Sequence, residues 1–363
     1  MKYKISYTLS LIVSILLFTS CDKNDDNNGN NLPADIENIV FPTSSIELNV
    51  GDKYVLVPEV EPANADVHHI AWSSSNERVA IVKADGEITA LGYGRTVIEA
   101  SFNNIKATCD LVVAEPKRSY TLAWSDEFNG TSIDTKYWNF EQGGAGWGNQ
   151  EKQYYTDRSD NARVENGYLI IEAKKENYST NNYTSARLTT KDKVVAKYGK
   201  IEARISLPSG KGTWPAFWMM PNDNAYGSWP RSGEIDIMEH VGSDPTMISH
   251  ALHTQSASGG RSWSKRGYYD NVEGSFHTYT LEWVNDYYNG NDAFLFYVDD
   301  TLVIIKDQNN YGISTYEDWP FDQDFFVILN LAIGGTWGGT IDDNIFKSLV
   351  QMKVDYVRVY TLD

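Results

Sequence analysis

The sequence predicts an all-β protein: a large antiparallel sandwich of jelly-roll type preceded by a smaller β-sandwich. Three observations carry this. Short runs rich in β-branched and aromatic residues recur along the chain, Gly, Asn, Asp and Pro separate them, and no amphipathic helix of convincing length interrupts them. A chain of 363 residues is long enough for two domains with substantial cores.

The first segment reads as an address and is set aside from the fold. Lys2 and Lys4 precede an apolar stretch over residues 7–18, too short to span a bilayer comfortably. It ends in Leu17-Phe18-Thr19-Ser20-Cys21, which resembles a bacterial lipobox, with Phe18 where Leu is usual. A signal peptide over residues 1–20 and lipidation at Cys21 are expected. Asp22-Lys23-Asn24-Asp25-Asp26 is similar to the acidic surface-export signal of Bacteroidetes-type lipoproteins. The expectation is an exported lipoprotein of the cell envelope, on the outer membrane and facing outward. Residues 21–35, rich in Asp and Asn, read as a flexible tether. The chain has two cysteines, so a lipidated Cys21 leaves Cys109 unpaired, and its strand-like surroundings suit a small buried hydrophobe.

Residues 36–115 alternate short strand-like runs (45–50, 54–58, 110–113) with turn residues at the spacing of a small sandwich. The stretch from Trp72 through Ser73-Ser74-Ser75-Asn76 to Ala80, then Gly86-Glu87-Ile88-Thr89-Ala90 and Gly92-Tyr93-Gly94, resembles bacterial Ig-like domains of group 2. That resemblance implies an immunoglobulin-like sandwich acting as a spacer, with direct glycan binding as the alternative.

Residues 119–363 are denser in Trp, Gly and Tyr. Strand signals repeat at 168–173, 200–205 and 325–331, and residues 293–298 and 301–305 flank Asp299-Asp300 as a two-residue hairpin. Residues 352–360 alternate like a half-buried antiparallel strand. The 11 Trp and 23 Tyr exceed the needs of a core and suit stacking on sugar faces. A formal charge of −18 argues against nucleic acid or anionic lipid as a direct partner and leaves neutral polymers open.

The run Gly233-Glu234-Ile235-Asp236-Ile237-Met238-Glu239 places three carboxylates in an apolar strand. Alternation puts Glu234 and Asp236 on one face and sends Glu239, five residues on, to the other. A β-bulge near Met238 would restore the parity and bring all three together. The two Glu backbones would then lie about 13 Å apart. Side chains leaning toward each other would close the gap to roughly 5–6 Å, the separation of a retaining glycosidase. The expected roles are Glu234 as nucleophile, Glu239 as general acid/base and Asp236 as hydrogen-bond partner of the nucleophile. Competing readings are a solvated strand face, which like charges at close range disfavour, and a divalent-metal site.

The run from Ser206-Leu207-Pro208-Ser209-Gly210 through Trp214-Pro215-Ala216-Phe217-Trp218, then Trp229-Pro230-Arg231-Ser232-Gly233 and the acidic motif, resembles glycoside hydrolase family 16, within it the bacterial laminarinase group. Further matching blocks are Trp124-Ser125-Asp126-Glu127-Phe128, Gly146-Trp147-Gly148-Asn149, Ser185-Ala186-Arg187-Leu188 and Val354-Asp355-Tyr356-Val357-Arg358. The resemblance implies a concanavalin-like β-sandwich and endo-hydrolysis of β-1,3-glucan by a monomer, with no cofactor for the chemistry. It implies that Trp214, Trp218 and Trp229 line subsites on the non-reducing side, and that Asn149 and Arg187 hydrogen-bond sugar hydroxyls. It places His253 near the acid/base, supporting the leaving-group side. A structural Ca²⁺ would be held by Glu127, the carbonyl of Gly167 and Asp355. Core packing remains the alternative for the indoles, and a structural role for Asn149, Arg187 and His253. Mixed-linkage β-1,3-1,4-glucan, agarose and carrageenan are alternative substrates, and a non-catalytic glucan-binding protein is a remote one.

Overall fold

The computed structural model describes residues 35–115, 117–288, 290–308 and 315–363. The leader, most of the tether and Cys21 lie outside them. The architecture is all-β, as the sequence predicts, with one four-residue α-helical turn, Gly335–Gly338, and short 3-10 turns among the described residues.

The N-terminal unit is a sandwich. A four-stranded sheet runs in the order Ser45–Leu48, Ile105–Val113, Gly94–Phe102, Ala71–Ser74, and a three-stranded sheet joins Lys53–Val55, Glu87–Ala90 and Ala80–Val82. Leu56, Ile88, Ile98 and Leu111 fill its core, and free Cys109 is buried among them as a small hydrophobe. It meets the larger unit through an Arg78–Asp307 ion pair and an edge-on contact of Tyr93 with Tyr287 at 5.2 Å.

The larger unit stacks two sheets. The outer sheet is built around the long strands Val350–Leu362, Gly199–Ser206 and Phe276–Tyr288. In it, Asp299 and Asp300 both take positive φ between Val298 and Thr301, which pair directly. That is the two-residue hairpin the sequence signals, in the left-handed conformation Asp tolerates. The inner sheet contains β1 (Asn139–Glu141), β2 (Arg187–Thr189), β3 (Thr213–Pro221), β4 (Glu234–Glu239), β5 (Met247–His253), β6 (Trp263–Tyr268) and β7 (Phe325–Ile333), in the order β1-β2-β7-β3-β4-β5-β6. Between the sheets lies one core including Phe217, Met219, Ile235, Trp283, Phe294 and Leu329. Burying aromatic and branched side chains of this size stabilises by about 1.5–3 kcal/mol each. The core therefore fixes which face of every inner strand looks outward.

Candidate active site

Alternation along β3 sends Phe217 and Met219 into the core and leaves Trp214, Ala216, Trp218 and Met220 on the free face. On β5 the same rule exposes Ser249, Ala251 and His253, and on β7 it exposes Asn330 and Ala332. These side chains floor a cleft of about 640 Å³, within the usual range for ligand sites.

Glu234, Asp236 and Glu239 all line that cleft. The bulge that makes this possible is present. Across β3, Trp218 pairs with Asp236 and Phe217 with Met238, so Ile237 is the extra residue, one position earlier than Met238. Ile237 and Met238 are both fully buried, two consecutive core residues where alternation allows one. That doubling shifts Glu239 back to the cleft side. Gly233 sets the strand's start: its φ of +86° suits glycine, and a Cβ there would lie 2.8 Å from Phe321.

Each glutamate is held by an indole. Trp229 Nε1 donates to Glu234 Oε2 at 2.6 Å, and Trp214 Nε1 donates to Glu239 Oε1 at 3.1 Å. His253 Nδ1 accepts from the Gly259 amide at 3.1 Å, which leaves the proton of a neutral ring on Nε2. That nitrogen lies 3.1 Å from Asp236 Oδ2 and 3.9 Å from Glu234 Oε1. His253, expected near the acid/base, thus sits instead at Glu234 and Asp236. The reason is register: His253 is directly opposite Glu234, whereas Glu239 faces Ser249.

Burial raises the pKa of all three acids. Glu234 is pushed up to about 8 by burial and then by the charge of Asp236, against the lowering influence of His253 and the Trp229 N–H. Burial lifts Asp236 to about 7. Glu239 goes up well above its ordinary value through burial and the charges of Asp236 and Glu234. Three closely spaced acids in a half-closed site cannot all be ionised, so the group retains protons at neutral pH.

Trp218 Nε1 donates to Asn330 Oδ1 at 2.7 Å, and Asn330 in turn donates to Tyr155 OH at 3.1 Å. Asn149 and Arg187 also line the cleft, and each has a partner within the protein. Asn149 Nδ2 donates to Glu151 at 3.4 Å, while Arg187 pairs with Glu141. The Arg187 guanidinium stacks on Trp147 at 4.9 Å and Trp218 at 4.6 Å, a cation–π contact on each side. Two cleft aromatics escaped the sequence reading. Trp147 appeared there within a motif but without a role, and Trp337 meets Trp214 edge-on at 5.5 Å from the turn Gly335–Gly338. Density of Trp was the available signal; which indoles share a surface depends on long-range pairing.

For calcium, strand pairing sets Leu169 opposite Val354 and Asp126 opposite Val357, bringing Glu127, Gly167 and Asp355 to one stretch of Val350–Leu362. Both carboxylates are nevertheless taken. Arg358 donates to both oxygens of Glu127 at 2.9 Å, and Arg204 donates to Asp355 at 2.6 Å. Two guanidiniums beside the donor set repel a divalent cation, so this arrangement does not fit calcium.

A sandwich whose cleft is lined by two glutamates and an aspartate among tryptophans defines a carbohydrate-cleaving enzyme, a glycoside hydrolase. The comparisons agree. The profile of glycosyl hydrolases family 16 matches residues 149–358, and that of the bacterial Ig-like domain (group 2) matches residues 36–110. A beta-glucanase of Rhodothermus marinus is 43% identical over 251 residues, covering 66% of this chain and 85% of that protein. A glucan endo-1,3-beta-glucosidase of Cryptopygus antarcticus is 42% identical over 261 residues, covering 67% and 93%. The X-ray structure of the laminarinase from Rhodothermus marinus superposes with a TM-score of 0.63 at 42% identity, covering 68% of this chain and 100% of the other. The chain belongs to glycosyl hydrolases family 16 and carries an N-terminal Ig-like domain.

Proposed function

We propose that the protein is a retaining endo-hydrolase of β-1,3-glucan. The observation that carries this reading is the bulged strand β4, which turns Glu234 and Glu239 into one cleft, each held by an indole N–H. Glu239, the acid whose ionisation burial and two neighbouring charges oppose, gives its proton to the glycosidic oxygen. Glu234 attacks the anomeric carbon, the bond to the leaving sugar breaks, and a covalent glycosyl-enzyme forms. Glu239, now a carboxylate, takes a proton from water; the hydroxide attacks the anomeric carbon and displaces Glu234, restoring both groups. Asp236 accompanies Glu234 throughout: a proton shared between them lets one charge reside on the nucleophile while His253 fixes the pair from the side.

Indoles from Trp147, Trp214, Trp218, Trp229 and Trp337 give the cleft broad apolar faces suited to the C–H surfaces of a neutral glucan. The activities named for the relatives in the family support the β-1,3 linkage. The lipid-anchored, exported setting rests on Lys2, Lys4 and Cys21 in the sequence. Product profiles on laminarin, lichenan, agarose and carrageenan test the substrate, with laminarin cleaved fastest and to oligosaccharides. Proton NMR of early products tests the mechanism: the new reducing end should appear first as the β-anomer. Initial release of the α-anomer would overturn the retaining reading.

A further inference from the structure

A bulge leaves a backbone group without its ladder partner, and a buried one must find another. Across β5, Asp236 pairs with Ala251 and Glu239 with Ser249, so Ile237 and Met238 together face the single residue His250. Ser249 and Ala251 line the cleft, and alternation therefore turns His250 into the sandwich. There it is fully buried, its ring 5.2 Å from that of Phe296 on the opposite sheet. Its Nδ1 lies 2.6 Å from the carbonyl oxygen of Ile237, the inserted residue. A carbonyl only accepts, so Nδ1 carries the proton. Nε2 then holds a lone pair with no hydrogen-bond partner among the described residues. Burial pushes the pKa down to about 4, keeping the ring neutral where the enzyme works. Packing alone would favour a phenylalanine or leucine here, since neither buries an unpartnered nitrogen. The bond to the Ile237 carbonyl is what the imidazole adds.

We propose that His250 is a positioning residue for hydrolysis: its Nδ1–H locks the bulge at Ile237 and so holds Glu239 on the same face as Glu234. The inference rests on the reading of those two glutamates as the reacting pair. His250 lies behind the cleft wall and acts through the strand. Without its bond the extra residue is free to leave the span between Glu234 and Glu239, and a β4 that pairs regularly there turns Glu239 away from the cleft. Glucan binding, carried by the tryptophans, should suffer less than the chemical step.

Three variants of the full chain separate the donor from the ring. His250→Phe keeps the ring and removes the donor. His250→Asn places its Nδ2 where the imidazole has Nδ1 but loses ring volume, and His250→Ala loses both. On the glucan cleaved fastest, H250F should lower kcat about 30- to 100-fold, the scale of a displacement near 1 Å at a reacting group, with KM within about twofold. H250N should stay within about threefold of the parent kcat although it melts below H250F, and H250A should fall at least tenfold below H250N. A folded H250F with the parent kcat would overturn the proposal, as would H250N no better than H250A. If H250F does not fold, the Asn and Ala variants, which share the lost ring, decide the matter alone. Glu239→Gln assayed alongside distinguishes the two failures. An active E239Q sinks the catalytic reading; an inactive E239Q beside a fully active H250F sinks only the role of His250.

Discussion

Two groups of acids lie on or beside strands of the same sandwich and behave in opposite ways. On the outer sheet, Glu127 and Asp355 each meet an arginine, and the hydrogen bonds from Arg358 hold the Glu127 carboxyl below its usual range. In the cleft, burial pushes Glu234, Asp236 and Glu239 upward, and the indole N–H groups and His253 that meet the glutamates oppose it only in part. A paired carboxylate is already neutralised and has little left to do. Buried acids with no arginine hydrogen-bonded to them keep protons that they can give away. The lesson is that the partner distinguishes a structural acid from a reactive one.

Substitution should expose that contrast most sharply in activity. Glu234→Gln and Glu239→Gln are expected to lower kcat by about 10³-fold or more while binding of glucan persists, since each removes a group that exchanges a bond or a proton. Glu127→Gln should leave kcat unchanged. Steady-state kinetics and a glucan-binding assay on the three variants check this, and a crippled E127Q would erase the distinction.

A smaller effect follows from the indole on the nucleophile. The Trp229 N–H favours the charged form of Glu234, so Trp229→Phe should raise that pKa further. Because Glu234 must be ionised to attack, the ascending limb of kcat/KM should move to higher pH. The rate at pH 6 should fall about tenfold, a loss that shrinks as the pH rises. A uniform loss at every pH would mean that Trp229 only binds sugar.

Much of this was legible in the chain, for a physical reason. The face of each acid on β4 follows from a period-two rule, so the need for a bulge could be seen in the spacing of Glu234 and Glu239. The Asp299-Asp300 turn was equally local. What could not be read was lateral. Asn330 reaches Trp218 only because β7 pairs with β3, and Arg187 lies between Trp147 and Trp218 through pairings far apart in sequence. That His253 stands opposite Glu234 is likewise set by cross-strand register. His250 drew no notice at all, since the carbonyl it serves exists only once Ile237 is expelled from the ladder.

Stability should show the same contrast with smaller numbers and opposite signs. Glu239 is raised above its ordinary 4.5. As pH rises past 4.5 the unfolded chain ionises there while the folded site resists, so the folded state loses stability up to the folded pKa. Glu239→Gln should therefore raise Tm at pH 8 by about 2–4 °C, on the order of 1 kcal/mol, and change it little at pH 4. Glu127 is lowered, so its contribution is present above 4.5 and lost as pH falls through the folded value. Glu127→Gln should lower Tm at pH 8 by about 1–2 °C, the modest worth of a partly exposed ion pair, and have a smaller effect as the pH falls below 4.5. Calorimetry at the two pH values reads both signs at once, and a gain in E127Q at pH 8 would contradict the pairing with Arg358.

Calcium should have the smallest effect. With Arg358 and Arg204 holding the two carboxylates, a chelator has no bound ion to withdraw, and added Ca²⁺ must first displace two guanidiniums. Any ion that binds only the folded state raises Tm in proportion to the logarithm of its concentration over its Kd. Melting curves with EDTA and with millimolar CaCl₂ should accordingly agree within about 1 °C, the shift left when concentration and Kd are comparable. A larger upward shift with calcium, abolished in Asp355→Asn, would show that the outer acids release their arginines for a metal. The outer pair would then have exchanged one directly bound positive partner for another, while the cleft acids kept indole N–H groups as theirs.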